Sequence, residues 1–215
     1  MSSVISLIPA RGGSKTLPNK NLIEVGGQPL IAYAIQASQA SSVNDTWVST
    51  DSDEIKEVSQ ALGAKVILRP PHLSNDIIMP DAALVHFAEH VHFDYLVFIQ
   101  PTSPLIKSEY IEQGICMVTR EGFDSAFAAV EEHWTPSWTM STEPSPINWD
   151  VHERPRRQDM PSRLREVGMV YVTKKQIILS TGLRYGGRIG AFTIPLKDSL
   201  DINTQDDIDF LRRLL

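Results

Sequence analysis

Three cations and two adjacent glycines are concentrated in Ile8-Pro9-Ala10-Arg11-Gly12-Gly13-Ser14-Lys15-Thr16-Leu17-Pro18-Asn19-Lys20-Asn21, and no acidic residue precedes Glu24. The stretch follows Val4 to Ile8, an apolar run long enough for one buried strand. These residue types after a strand suit a polyphosphate. Glycines let the backbone turn with positive φ and approach a ligand, successive amide N–H groups point at oxyanions, and Arg11, Lys15 and Lys20 neutralise charge. Two better-known phosphate loops do not fit. A dinucleotide fingerprint needs Gly-x-Gly-x-x-Gly leading straight into a helix, and a Walker loop needs Gly-x-x-x-x-Gly-Lys-Ser/Thr with a helix beginning at the lysine. Here Pro18, Asn19 and Asn21 interrupt any helix.

Other groups of chemical interest lie far along the chain. Asp201 and Asn203 stand two apart at a strand-to-helix junction, so an extended backbone would project both to one side, where they could meet one metal ion. Asn203 or Thr204 equally well caps the last helix. Gln100-Pro101-Thr102-Ser103-Pro104 follows the apolar strand Tyr95 to Ile99, so its amide and hydroxyls are presented where that strand ends. Arg69 leaves the end of another strand; its alternative reading is an ordinary surface arginine. A second basic group, Arg154, Arg156, Arg157, Arg163 and Arg165, suits a small acidic ligand. His86, His90 and His92 invite a zinc reading, but no cysteine or carboxylate completes the set, and they read as exposed helix-end histidines. Cys116, in apolar surroundings, reads as a small core residue.

The elements that must position these groups alternate. Strands are predicted at Val4 to Ile8, Asp45 to Thr50, Lys65 to Leu68, Tyr95 to Ile99, Ser125 to Val130, Met169 to Val172 and Gly190 to Pro195. A helix begins near Pro29, with proline in the first helical position. Another is capped by Ser52 or Asp53 and stopped by Gly63, and others cover Asp81 to His90, with Ala82, Leu84, Val85 and Ala88 inward, and Glu109 to Glu121. Lys174 to Leu179 and a segment carrying Ile208, Phe210, Leu211 and Leu214 complete the helices. Strand–helix–strand order implies right-handed crossovers and a mostly parallel, Rossmann-like sheet in a three-layer α/β/α sandwich, whose carboxyl edge binds ligands. Residues 131–161 break the pattern, with three of the four tryptophans and no helical period. An aromatic, arginine-rich irregular segment suits an arm packed on another subunit.

The run Arg-x-Gly-Ser-Lys-x-x-x-x-Lys-Asn after an N-terminal strand resembles the opening motif of the acylneuraminate cytidylyltransferases, the CMP-sialic-acid synthetases and their relatives. The resemblance continues in Arg69-Pro70, Gln100 to Leu105, Arg157-Gln158-Asp159-Met160-Pro161 and Asp201-Ile202-Asn203-Thr204, nearly the whole chain. It implies a single nucleotidyltransferase domain over residues 1–215 with a dimerisation segment at 131–161, acting as a homodimer. The activity implied is CMP transfer from CTP to a nonulosonic, sialic-acid-like sugar acid with release of pyrophosphate, supplying activated sugar for surface glycan. Catalysis then falls to Arg11, Lys20 and Asp201, and nucleotide binding to Ala10, Arg11, Gly13, Ser14, Lys15, Lys20, Asn21 and Arg69. The sugar falls to Gln100, Thr102, Ser103, Tyr171 and Arg157 of the partner subunit, and Mg2+ to Asp201 with Asn203. The chain departs from the family pattern in Val167-Gly168 for Asn-Gly, Asn203 for a second aspartate, and Ile77-Ile78-Met79-Pro80 for a serine-rich stretch. The rival readings are transfer of another nucleotide, such as GMP, to an amino-sugar phosphate, and a non-catalytic nucleotide-sugar-binding dimer.

Composition narrows the class. At 215 residues and 42% hydrophobic the chain can bury one substantial core, and a net charge of −6 disfavours nucleic acid as a partner. No apolar run approaches the roughly 18 residues of a membrane span, Met1-Ser2-Ser3 lacks a signal peptide's charged start, and a single cysteine fits a reducing cytoplasm.

Overall fold

The computed structural model describes residues 2–13, 16–70, 73 and 81–215. Ser14, Lys15 and most of the expected extended loop after Arg69, including Ile77 to Pro80, lie outside the described residues. Seven strands form one sheet in the order β5 (Lys65–Leu68), β4 (Asp45–Thr50), β1 (Val4–Pro9), β6 (Tyr95–Ile99), β8 (Arg163–Lys174), β7 (Ser125–Glu132) and β9 (Ile189–Thr193). Only β8 runs against its neighbours, since it is antiparallel to both β6 and β7 while the other pairings are parallel. A minor hairpin pairs β2 (Glu24–Val25) with β3 (Gln28–Pro29).

Helices cover both faces. α1 (Leu30–Gln39), α2 (Asp53–Ala61) and α4 (Ser108–Thr119) enclose the larger core, which includes Ile8, Ile31, Ile35, Val48, Ile111 and Val170. α3 (Asp81–His90) and α5 (Lys175–Thr181) cover the opposite face over Leu7, Leu84, Phe87, Phe93, Leu96 and Tyr171. The central strands β1 and β6 are buried on both faces, as runs apolar but for Ser6 require, and Ser6 shares a hydrogen bond with Ser38. The three-layer, mostly parallel α/β/α sandwich expected from the alternation of elements is the architecture of the chain.

Local departures have physical causes. Pro29 is the N-cap of α1, with extended ψ of 148°, instead of its first helical residue, because it pairs with Glu24 in the small hairpin. α3 turns Ala83 and Phe87 inward beside Leu84 and Ala88, leaving Ala82 and Val85 partly exposed; the bulk of Phe87, packed on Trp47 and Phe93, sets that rotation. Strand β8 begins at Arg163, six residues before the apolar run at Met169, since Arg163 to Glu166 pair with Ala129 to Glu132 of β7. Glu131 and Glu132 thus belong to the sheet, and the irregular segment starts after them.

A third, small core joins the two ends of the chain. Leu17, Val25 and Leu30 pack on Ile202, Ile208 and Leu211 from the approach to and body of α6 (Gln205–Leu214). At about 1.5–3 kcal/mol for each fully buried aliphatic side chain, this contact holds the opening loop against residues 201–203. α6 starts with a capping box: the Thr204 hydroxyl accepts from the Asp207 N–H, and Asp207 returns to the Thr204 N–H. Thr204 is therefore the cap, and the reading of Asn203 in that role is corrected. Burial works against the Asp207 carboxylate, but the N–H groups of Asn203 and Thr204 and the Thr204 hydroxyl hold it below the usual carboxylate range.

Candidate functional site

β1 stands between β4 and β6, and the order of the chain reverses there, so the loops after β1, β4, β5 and β6 open on one crevice at their carboxyl ends. The Ala10 N–H donates to Ser49 O at 2.9 Å, extending the β1–β4 ladder. The Gly12 N–H donates to Asp51 Oδ1 at 2.9 Å, which pins the loop to the turn before α2. Neither Gly12 nor Gly13 has a positive φ, so the expected left-handed turn is not their role. Gly12 is needed for close approach: a Cβ there would lie 3.0 Å from Cβ of Ser52, whereas Gly13 faces open space. The left-handed residue is Asn19, φ 52°, which leads into a 3-10 turn at Lys20–Leu22.

Three cations converge on this crevice. Arg69 is only 8% exposed, which corrects its reading as a surface arginine. Its Nη2 donates to Ser49 O at 2.9 Å and its Nε to Ser49 Oγ at 3.3 Å. Burial holds its pKa below the ordinary arginine value; Asp51 opposes that shift and Arg11 adds to it. Burial also lowers the pKa of Lys20, with Asp201 and Asp207 opposing and Arg11 adding. Arg11 thus bears on both, and like charges held together favour an incoming anion. Asn21 braces the loop by donating from Nδ2 to Arg11 O at 3.2 Å, and its Oδ1 is buried without a hydrogen-bond partner among the described residues.

Residues 201–203 close the crevice. Ile202 N–H donates to Thr102 O at 2.8 Å, and Lys20 Nζ donates to Ile202 O at 2.8 Å and lies 3.5 Å from Asn203 Oδ1. Asn203 Nδ2 donates to Asp201 Oδ2 at 2.7 Å, while Asp201 Oδ1 is buried with no hydrogen-bond partner among the described residues. A buried carboxylate oxygen with no hydrogen bond to accept fits a hard cation completed by substrate phosphate and water, while Asn203 turns its amide nitrogen to Asp201 and its oxygen to Lys20. Among the described residues no cluster of three or more His, Cys, Asp or Glu could hold a metal unaided, the three helix-end histidines included.

A second group lies across β6 and β8. Three extra residues of β8 stand opposite β7 between Phe127 and Ala129, an irregularity that bulges Val167 to Val170. The carbonyl of Gly168 receives Ser103 Oγ at 3.0 Å and, with the amide oriented by its partners, Gln100 Nε2 at 2.7 Å. A Cβ on Gly168 would lie 2.6 Å from the end of that amide. Tyr171, buried, donates from its hydroxyl to Glu166 Oε1 at 2.5 Å. Burial and that carboxylate push its phenol pKa well up. Val167, where the family has asparagine, faces the larger core.

The structure therefore gathers Ala10, Arg11, Gly13, Lys20, Asn21, Arg69, Thr102, Asp201 and Asn203 at one crevice, and Gln100, Ser103 and Tyr171 beside it. Arg157 is apart, exposed in a 3-10 turn, Arg157–Asp159. The basic group around it does not act as one: Arg163 and Arg165 pair with Glu132 at 2.8 and 3.4 Å, and Arg154 lies over Trp149 at 5.4 Å. Ser49, Asp51, Gly168 and Arg184 escaped the sequence reading. For Asp51 the usable signal is its place directly after the strand Asp45–Thr50.

The chain is 38% identical to N-acylneuraminate cytidylyltransferase A of Danio rerio over 96% of its own length and 49% of that protein. It is 29% identical to pseudaminic acid cytidylyltransferase of Campylobacter jejuni over 98% of its length and 95% of that protein. It spans about half the length of the N-acylneuraminate cytidylyltransferases it matches. The solved structure of CMP:2-keto-3-deoxy-manno-octonic acid synthetase complexed with CTP shares the fold, with a TM-score of 0.76 at 21% identity, over 99% of this chain and 98% of that one. No helix among the described residues is long and apolar enough to cross a membrane. Residues 5–163 match the family model described as Cytidylyltransferase, and the chain belongs to that family.

Proposed function

We propose that the chain transfers CMP from CTP to a nonulosonic sugar acid and releases pyrophosphate. The observation that carries this reading is the convergence of Arg11, Lys20 and Arg69 at the strand-order reversal, beside the orphaned Asp201 Oδ1. The names of the relatives, for N-acylneuraminate and pseudaminic acid, support the acceptor class.

The anomeric hydroxyl attacks the α-phosphorus and yields its proton to solvent, the bond from that phosphorus to the α,β-bridging oxygen breaks, and pyrophosphate departs. Arg11 and Lys20 hold the phosphates in line and stabilise the charge developing on the leaving group, worth roughly 2–4 kcal/mol per preorganised donor by analogy with oxyanion sites. Asn21, its Oδ1 unpartnered, and buried Arg69 flank the cytidine. Lys15, Ser14 and the exposed backbone of Gly13 complete the phosphate grip. Gln100, Thr102, Ser103 and Tyr171 orient the sugar acid, and Arg157 of the partner subunit reaches its carboxylate across a homodimer formed through residues 131–161. Asp201, with Asn203 beside it, would hold Mg2+, and the ion would supply positive charge that polarises the phosphates.

Pyrophosphate release, measured over a panel of nucleoside triphosphates crossed with sugar acids and amino-sugar phosphates, tests the reading. CTP with a nonulosonic acid should stand out. Turnover only with another pair, or binding without turnover, would replace it.

A further inference from the structure

Arg184 lies between β8 and β9 in no motif, yet both its backbone and its guanidinium are held by directed contacts. Its N–H and Nε donate to Asp81 Oδ1 at 2.8 and 3.0 Å, and its Nη2 to Oδ2 at 2.6 Å. The guanidinium packs 5.1 Å from the ring centre of Phe98 and 5.0 Å from that of Tyr171. Its side chain is 12% exposed. The remaining nitrogen, Nη1, donates to Gln100 Oε1 at 3.2 Å.

We infer that Arg184 is a positioning residue for the sugar acid: held by Asp81, it turns the carbonyl end of Gln100 away from the crevice and leaves its N–H end to the substrate. This rests on the functional reading above. The chemistry is one of exclusion. Arginine has no acceptor, so Gln100 can meet it only through Oε1. Gly168 O can only accept, so it takes one hydrogen of Nε2. Nε2 carries a second hydrogen besides that one, of the kind that suits a carboxylate or acyl carbonyl. Asp81 neutralises Arg184, so Arg184 acts through geometry and contributes little net attraction for an anion. Tyr171, stacked on the same guanidinium and bonded to Glu166, is fixed by the same clamp.

Kinetics with CTP and N-acetylneuraminate as probe test this. Arg184→Lys keeps the charge but loses the fork. It should raise KM for N-acetylneuraminate about tenfold or more, the cost of one misdirected hydrogen bond to a charged group, and leave KM for CTP within about twofold. Adding Gln100→Ala to Arg184→Lys should cost little more than Gln100→Ala alone, because both remove one interaction. Asp81→Asn, which leaves Arg184 cationic, should weaken the acid's binding if geometry rules. Tighter binding in that variant, or full additivity of the first two, overturns the inference. The Gln100 side-chain amide resonances, read by NMR without substrate, separate this from the functional reading. They should be distinct in the wild type and merge toward the solvent-exposed position in Arg184→Lys, whatever the acceptor proves to be. Unchanged resonances in that variant overturn the clamp.

Discussion

Asn203 donates its side-chain amide to Asp201 Oδ2 at 2.7 Å, which leaves Oδ1 of the same carboxylate buried and without a partner. With Thr204 doing the capping, Asn203 is free of that duty and faces Asp201 and Lys20. An aspartate at 203 would place a second carboxylate where one is now absent, and magnesium is commonly held by one or two carboxylates plus phosphate. Asn203→Asp should therefore shift the magnesium activation curve to lower concentration and strengthen Mn2+ binding seen by electron paramagnetic resonance without nucleotide. Asp201→Asn should remove metal-dependent turnover. Retention of full activity in Asp201→Asn would end the metal assignment.

The Lys20 ammonium loses its proton more readily than an ordinary lysine because burial outweighs the help of Asp201. A lowered folded pKa means that folding carries a cost while Lys20 is charged, relieved as pH rises through the folded value toward 10.5. Function runs the other way, since neutral Lys20 no longer stabilises phosphate. Turnover should fall on the alkaline side before an ordinary lysine would titrate, while thermal stability does not fall with it from this group. Lys20→Arg should move that limb upward. An alkaline limb unchanged in Lys20→Arg would assign it to another group.

Two glycines separate the two halves of the site. Alanine at position 12 meets the Ser52 Cβ at 3.0 Å, and alanine at 168 meets the Gln100 amide at 2.6 Å. Gly12→Ala must shift the phosphate loop against α2, so KM for CTP should rise with little change for the sugar acid. Gly168→Ala must expel Gln100 from the carbonyl it shares with Ser103, and the reverse pattern is expected. One lost hydrogen bond corresponds to about 1 kcal/mol, roughly a fivefold change. Identical effects of the two substitutions on both substrates would show the halves to be one.

The sheet was legible because its strands are short apolar runs punctuated by helices, and Arg11 and Arg69 stood out because each follows closely on such a run. What escaped depended on contacts made across the sheet. Ser49, Arg184 and Gly168 carry no local pattern; their meaning arises only when β4 lies beside β1 and β8 bulges beneath β6. Val167 illustrates the limit in the other direction: its departure from the family was visible, but not that its side chain would enter the core.

The segment after β7 is an ordered excursion with unmatched apolar surface. Trp138 meets Trp149 edge-on at 5.1 Å, and Trp138 bridges to Pro146, so the arm holds its own shape. Yet Trp138, Met140, Ile147, Val151 and Leu164 are exposed, and Arg157 stands apart from this chain's own crevice. A second copy would cover the apolar groups and bring Arg157 to the neighbouring Gln100 and Tyr171. Met140→Asp with Ile147→Asp should then give a monomer of lowered activity, by sedimentation, because neither side chain has a place in this chain's own core. Subunit mixing decides whether Arg157 acts across the interface. Assayed with the sugar acid well below KM, Gln100→Ala and Arg157→Ala should each keep about a tenth of the activity or less. If each site draws Gln100 from one subunit and Arg157 from the other, an equal mixture forms half mixed dimers, each with one intact site and one doubly defective. Recovery of about a quarter of wild-type activity is expected. No recovery after confirmed exchange would place Arg157 with its own subunit's site, or outside the chemistry.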